Sequence, residues 1–149
     1  MFPTDINLEE LIEEAENEPV ENSNRIGRSF LFNFETGQHQ IIDGAVKECD
    51  ELTAIKQWLE LMVKTTLDKF LVYKDTGFGT SAEKFIGRRT LPKGFVASEL
   101  EREIKESCLL NPAIERADDF SVTRTTRGMQ IAFTAYLVNG ELVEVNNIV

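Results

Sequence analysis

The chain has 149 residues, 42% hydrophobic and 28% charged, which suits one domain large enough to bury a core. Its formal charge is -10, and no apolar run approaches the roughly 20 residues of a membrane-spanning helix. A net acidic chain lacks the basic field that phosphate binding needs, so neither nucleic acid nor a membrane is an expected partner.

Residues 1–22 hold Asp5, Glu9, Glu10, Glu13, Glu14, Glu16, Glu18 and Glu21 and no Lys or Arg. That segment accounts for -8 of the charge and leaves -2 for the remaining 127 residues. It has neither the basic start nor the apolar centre of a secretory signal, so synthesis in the cytoplasm is expected. Ile6, Leu8, Leu11, Ile12 and Ala15 form a loose helical stripe, but like-charge crowding makes an isolated helix marginal. The expectation is a flexible acidic arm over 1–24 and a single domain over 25–149.

Residues 28–42 read as a hairpin. Phe30, Phe32 and Phe34 alternate with Leu31, Asn33 and Glu35 at strand period, Thr36-Gly37 supplies the turn, and Asp43-Gly44 punctuates the chain. Residues 51–67 are the clearest helix, with Leu52, Ile55, Leu59 and Met62 on one stripe, Trp58 and Val63 widening it, and Asp50 placed to cap it. Residues 69–75 predict a short strand, followed by a loop around Gly77 and Gly79 that lacks the Lys-Ser/Thr pair of a phosphate cradle. Residues 98–110 predict a second helix, with Ser98 and Glu101 as a capping box and Leu100, Ile104 and Cys108 on the buried face. Asn111-Pro112 stops it, because a residue before proline is pushed out of helical geometry. An exposed link over Glu115–Asp119 follows, then strands from Phe120 and Val122. Met129, Ile131, Phe133, Ala135 and Leu137 share one face, Asn139-Gly140 turns the chain, and residues 141–149 return. The predicted fold class is α+β: a mainly antiparallel sheet with two packed helices and a C-terminal β-hairpin.

Catalytic chemistry finds little support. Glu99, Glu101, Glu103 and Glu106 alternate with Arg102 and Lys105, as on a solvated helix face, and only Glu144 stands alone in an apolar run. His39 is the sole histidine and sits in a predicted hairpin. Cys49 and Cys108 read as reduced thiols, and two Cys with one His cannot close a zinc site. No catalytic residue, cofactor or metal is expected. A terminal hairpin without Lys or Pro in "VEVNNIV" offers an edge that another chain's strand could extend.

The order of "DGAVKECDELTAIKQWLELMVKTTLDKFLVYKDTGFG", "ELEREIKESCLLNPAIERADDFSV" and "IAFTAYLVNGELVEV" resembles the contractile-tail baseplate wedge and sheath initiator proteins of phages and prophages, over residues 28–148. Some of that group were once described as tail lysozymes. The resemblance implies a non-enzymatic component, made in the host cytoplasm and built into the baseplate of a phage or phage-like particle in six-fold copies. Its implied partners are the tail sheath subunit, other baseplate wedge proteins, and tail tube or tube-initiator proteins. The implied sheath-docking element is the closing hairpin, which carries Met129, Ile131, Phe133, Glu141, Val143, Val145 and Ile148. The family's Glu-Pro-Arg triplet, a wedge contact, aligns with Asn111-Pro112-Ala113. Only the proline is kept, and Glu115 and Arg116 follow closely as the available polar contacts. The alternatives are a cell-wall hydrolase, or a generic adaptor whose acidic arm captures a basic partner.

Overall fold

The computed structural model describes residues 27–149; the expected arm over 1–24, with its stripe from Ile6 to Ala15, lies outside the described residues. The architecture is α+β. A three-stranded antiparallel sheet, β5 (Ile114–Thr125), β6 (Gly128–Leu137) and β7 (Leu142–Ile148), runs in that spatial order with β6 central. Strict alternation along β6 decides its faces. Met129, Ile131, Phe133, Ala135 and Leu137 are all buried, whereas Gln130, Ala132, Thr134 and Tyr136 are half-buried on the opposite face. Val143 and Val145 of β7 join the buried side, and Phe120 of β5 stacks on Phe133 with centroids 5.2 Å apart.

Two helices cover that face. The first, α1 (Glu51–Lys64), packs Ile55, Leu59, Met62 and Val63 against the sheet on the β7 side. The longer α3 (Lys93–Cys108) packs Val96, Leu100, Ile104 and Cys108 on the β5 side. Burial of each such Leu or Ile contributes on the order of 1.5–3 kcal/mol, so this layer dominates stability.

Several sequence expectations are corrected. The helix expected over 98–110 starts five residues earlier, behind Pro92, so Ser98 and Glu101 lie inside it and form no capping box. Glu101 instead pairs with Lys105 at 2.8 Å. The physical reason is Val96, which extends the four-residue step of the buried face by one turn. Asp50 has N-cap backbone geometry, but its side chain makes no capping hydrogen bond. α1 ends at Lys64, and Leu52 is 37% exposed, outside the buried set of the stripe.

The strand expected over 69–75 does not form. Asp68 and Asp75 both take positive φ, and the amide of Asp75 donates to the Asp68 carboxylate at 3.0 Å, so the segment coils into a loop. Its ends are tied where Thr66 and Thr80 bridge, and Leu71 at its tip is 90% exposed. A very short helix, α2 (Ala82–Phe85), follows.

The expected hairpin over 28–42 is two. β1 (Phe32–Asn33) pairs with β2 (Gln38–His39), and β3 (Ile41–Ile42) pairs with β4 (Ala45–Val46) across Asp43-Gly44, both left-handed. Gln57 of α1 holds this module: its carboxamide accepts from the Phe32 amide at 2.7 Å and donates to the Phe30 carbonyl at 3.1 Å.

The link expected over Glu115–Asp119 is the first half of β5. Nor is the β6–β7 connection a two-residue turn. The Gly140 amide donates to the Leu137 carbonyl at 2.9 Å and the Leu137 amide to Glu141 at 2.9 Å. That is a three-residue loop, Val138 to Gly140, with Gly140 at φ +87 in the bulge position that favours glycine.

Candidate functional site

The hydrogen-bond parity of β7 defines its free edge. Met129 and Val149 exchange both main-chain hydrogen bonds, at 2.8 and 2.9 Å. In an antiparallel ladder such pairs alternate with non-bonded ones. Asn147, Val145 and Val143, opposite Ile131, Phe133 and Ala135, therefore turn their amides and carbonyls toward β6. Leu142, Glu144, Asn146 and Ile148 turn theirs away from the sheet, and none of these four amides donates to another segment among the described residues. The same four side chains are exposed, Leu142 at 56% and Ile148 at 55%. β7 thus presents an unbroken seven-residue edge with a single charge, Glu144. Leu52, Thr53 and Lys56 of α1 border a shallow groove beside its first half, and Lys64 and Thr65 lie beside its far end.

The sequence-derived interface residues fall into three groups. Met129, Ile131, Phe133, Val143 and Val145 lie in the core, so a partner would meet their strands' main chain and not these side chains. Glu141 and Ile148 are exposed on β7 and its turn. Asn111, Pro112, Glu115 and Arg116 lie elsewhere, where α3 gives way to β5. Asn111 is buried, and its carboxamide oxygen accepts the Ala113 amide at 3.0 Å. Pro112 is exposed beside Leu109 and Leu110, which are 62% and 48% exposed. Arg116 is already engaged: its guanidinium lies 3.8 Å from the Tyr136 ring centre and pairs with Asp118. The Tyr136 hydroxyl donates to Asp119 at 3.2 Å, and that carboxylate raises the phenol's pKa above its ordinary value. Sequence reading missed Leu142, Glu144 and Asn146 as the outward set. The V-x-V alternation of β7, read in parity with β6, carries that signal.

The acids and thiols that sequence reading weighed for chemistry form no catalytic cluster among the described residues. Glu144 is exposed opposite Thr134. The half-buried Glu103 accepts the Ser81 amide at 2.8 Å and the Ser81 hydroxyl at 2.7 Å, which ties the start of α2 to α3. Both cysteines are free; Cys108 is fully buried, and burial pushes its thiol up to about 12. At neutral pH it is a packed, protonated side chain without thiolate character. His39 is exposed against Phe32, at 5.1 Å between ring centres. Among the described residues no cluster of three or more His, Cys, Asp or Glu could hold a metal ion, and no helix is long and apolar enough to cross a membrane.

A family profile described as "contractile injection system sheath initiator" matches residues 28–140, three-quarters of the chain. The matched region takes in the N-terminal hairpins, the three helices, β5, β6 and the turn that follows; β7 lies beyond it. A search of curated proteins returned no match.

Proposed function

This chain belongs to the contractile injection system sheath initiator family, a structural part of the contractile baseplate, and we propose that its β7 edge seats the first sheath ring by strand addition. One observation carries the reading: Leu142, Glu144, Asn146 and Ile148 aim free main-chain groups away from a regular, nearly uncharged edge. A strand from a sheath subunit that pairs there extends the sheet to four strands, with main-chain hydrogen bonds supplying affinity. The exposed Leu142 and Ile148 and the flanking α1 groove supply side-chain contacts. We further propose that six copies surround the tube, and that the corner at Pro112, with Leu109, Leu110, Glu115 and Arg116, meets a neighbouring wedge protein.

Glu144→Pro tests the edge. It removes an outward amide and leaves the β6–β7 ladder intact, since proline is tolerated where its missing N–H faces solvent. Baseplates assembled with this variant and mixed with sheath subunits should enter electron micrographs without sheath, while the protein's melting curve stays near that of the parent. Normal sheath growth on such baseplates would sink the β7 assignment.

A further inference from the structure

Residues 23–149 sum to only -2, yet one corner of the fold is strongly basic. Residues 84–98 contain Lys84, Arg88, Arg89 and Lys93 and no acid; residues 120–140 contain Arg124 and Arg127 and no acid. The fold brings these two segments together as the walls of one groove, with Arg88 and Arg89 in the loop after α2 on one side and Arg127 in the β5–β6 turn on the other. Both walls are held. Arg124 donates to the carbonyls of Arg88 and Leu91, both at 3.3 Å, and the Thr125 hydroxyl donates to the Gly128 carbonyl at 3.2 Å across the turn. Phe85, Met129 and the exposed Ile86 give the groove an apolar lining. Lys93 borders the adjoining cleft with Arg124 and Met129. Arg88, Arg89, Lys93 and Arg127 are exposed, and none forms an ion pair among the described residues. Like charges gathered without counter-charges repel one another, so an anionic partner is favoured there.

The groove adjoins the β7 edge. Ile86 also lines the cleft at the far end of β7, together with Ile148 and Val149, and Met129 at the groove is the main-chain partner of Val149. A strand paired along β7 that continues past Ile148 therefore meets Ile86 and then the arginines. Resting on the strand-addition reading of β7, we propose that the groove receives an acidic stretch of the same sheath segment, next to the strand that pairs. An extended segment sends successive side chains to opposite sides. Neighbouring carboxylates thus reach the two walls, where each can take a guanidinium in a bidentate pair. Aliphatic residues between them lie on Ile86. A nucleic acid fits less well. The positive charge is confined to this corner of a net acidic chain, and Phe85, the one ring at the groove, is half-buried against the core. The ladder supplies main-chain affinity whatever the partner's sequence, and the groove adds selection by charge.

Arg127→Lys tests the assignment, because it keeps the charge and puts a carbodiimide-reactive amine in the groove. Baseplates assembled with this full-length variant are mixed with sheath subunits, treated with carbodiimide and read by mass spectrometry. Position 127 and Lys93 should link to an acidic stretch of the sheath at least about five-fold more often than the exposed Lys47 does. The triple variant Arg88→Glu, Arg89→Glu, Arg127→Glu, checked for an unchanged melting curve, should lower the number of sheath-bearing baseplates at least about ten-fold at low salt. Salt near 1 M, where the screening length is only about 3 Å, should bring the parent toward the same level. The two readings fail separately. Sheath lost with Glu144→Pro but undiminished with the triple variant overturns the groove and leaves β7 standing; normal sheath with Glu144→Pro overturns both. Links no more frequent than at Lys47, or links only to a baseplate protein other than the sheath, would also overturn the proposal. So would an oligonucleotide held by the full chain and released by the triple variant.

Discussion

The closing sheet has two edges, and they are built in opposite ways. The β5 edge is long but broken: its pairing with β6 shifts register between Ile114 and Arg116 and again between Asp118 and Ser121, and Asp119 takes φ +57. It also carries Glu115, Arg116, Asp118, Asp119 and Arg124. Bulges and charges of this kind stop another chain from adding a strand. The β7 edge has seven consecutive pairs with β6, no bulge and one charge. A sheet that protects one border and leaves the other regular is suited to grow in one direction only, as the proposed seating of a sheath ring would require.

The sharpest way to break this contrast is to break β7 itself. Val145→Pro removes an inward amide opposite Phe133 and disturbs a buried position, so it should cost about 3 kcal/mol or more in urea denaturation. Glu144→Pro, one residue away, should cost about 1 kcal/mol or less while abolishing sheath growth. Equal losses from the two variants would show that the deduced ladder parity is wrong.

On the opposite side, Cys108 lies in the helix that backs β5. Its thiol titrates near 12 in the fold against 9.0 ordinarily, so the folded state resists deprotonation more than the unfolded one. Its contribution is therefore complete below about pH 9 and is lost as pH rises toward 12, on the order of a few kcal/mol. Cys108→Ala should flatten the alkaline part of a stability-versus-pH curve relative to the parent; an unchanged slope would mean other groups set it.

Gly128→Ala comes next in size. A Cβ there would sit 2.1 Å from the Val149 carbonyl oxygen, so the Met129–Val149 pair that ends β7 must open. A loss of about 1–3 kcal/mol is expected, with faster amide exchange at Met129 and Val149 as the local readout. A small effect on stability, comparable to that of Glu144→Pro, is expected for Arg116→Glu, which exchanges a ring contact and an exposed ion pair for repulsion from Asp118, at about 1 kcal/mol or less. If the Pro112 corner is a wedge contact, the same variant should nonetheless reduce incorporation into baseplates. Normal incorporation would remove Arg116 from that contact.

Much of the fold was legible where periodicity and burial coincide. Ile55, Leu59 and Met62, then Leu100, Ile104 and Cys108, then Met129 through Leu137 all stand on the buried faces their spacing predicts. The illegible parts share a different cause. Residues 69–75 have strand-like composition, but Asp68 and Asp75 turn the chain before a ladder can form. Ser98 and Glu101 have the spacing of a helix start, but the stripe from Val96 carries the helix past them. Glu115 to Asp119 look like a polar link, yet pairing with β6 makes them strand, because the opposite strand supplies the hydrogen bonds that composition does not advertise.

By itself, then, the sequence determined the α+β class, the helix faces, the inward set of β6 and a family resemblance that the profile match over 28–140 bears out. These follow from local period and from the order of elements, both of which one chain carries without reference to contacts. Only the tertiary structure decided which edge of the sheet is broken and which is regular, where Arg116 spends its charge, and that four arginines from two distant segments line one groove. Register, edge parity and charge clustering belong to pairs of segments far apart in the chain, and they exist only once those segments are in contact.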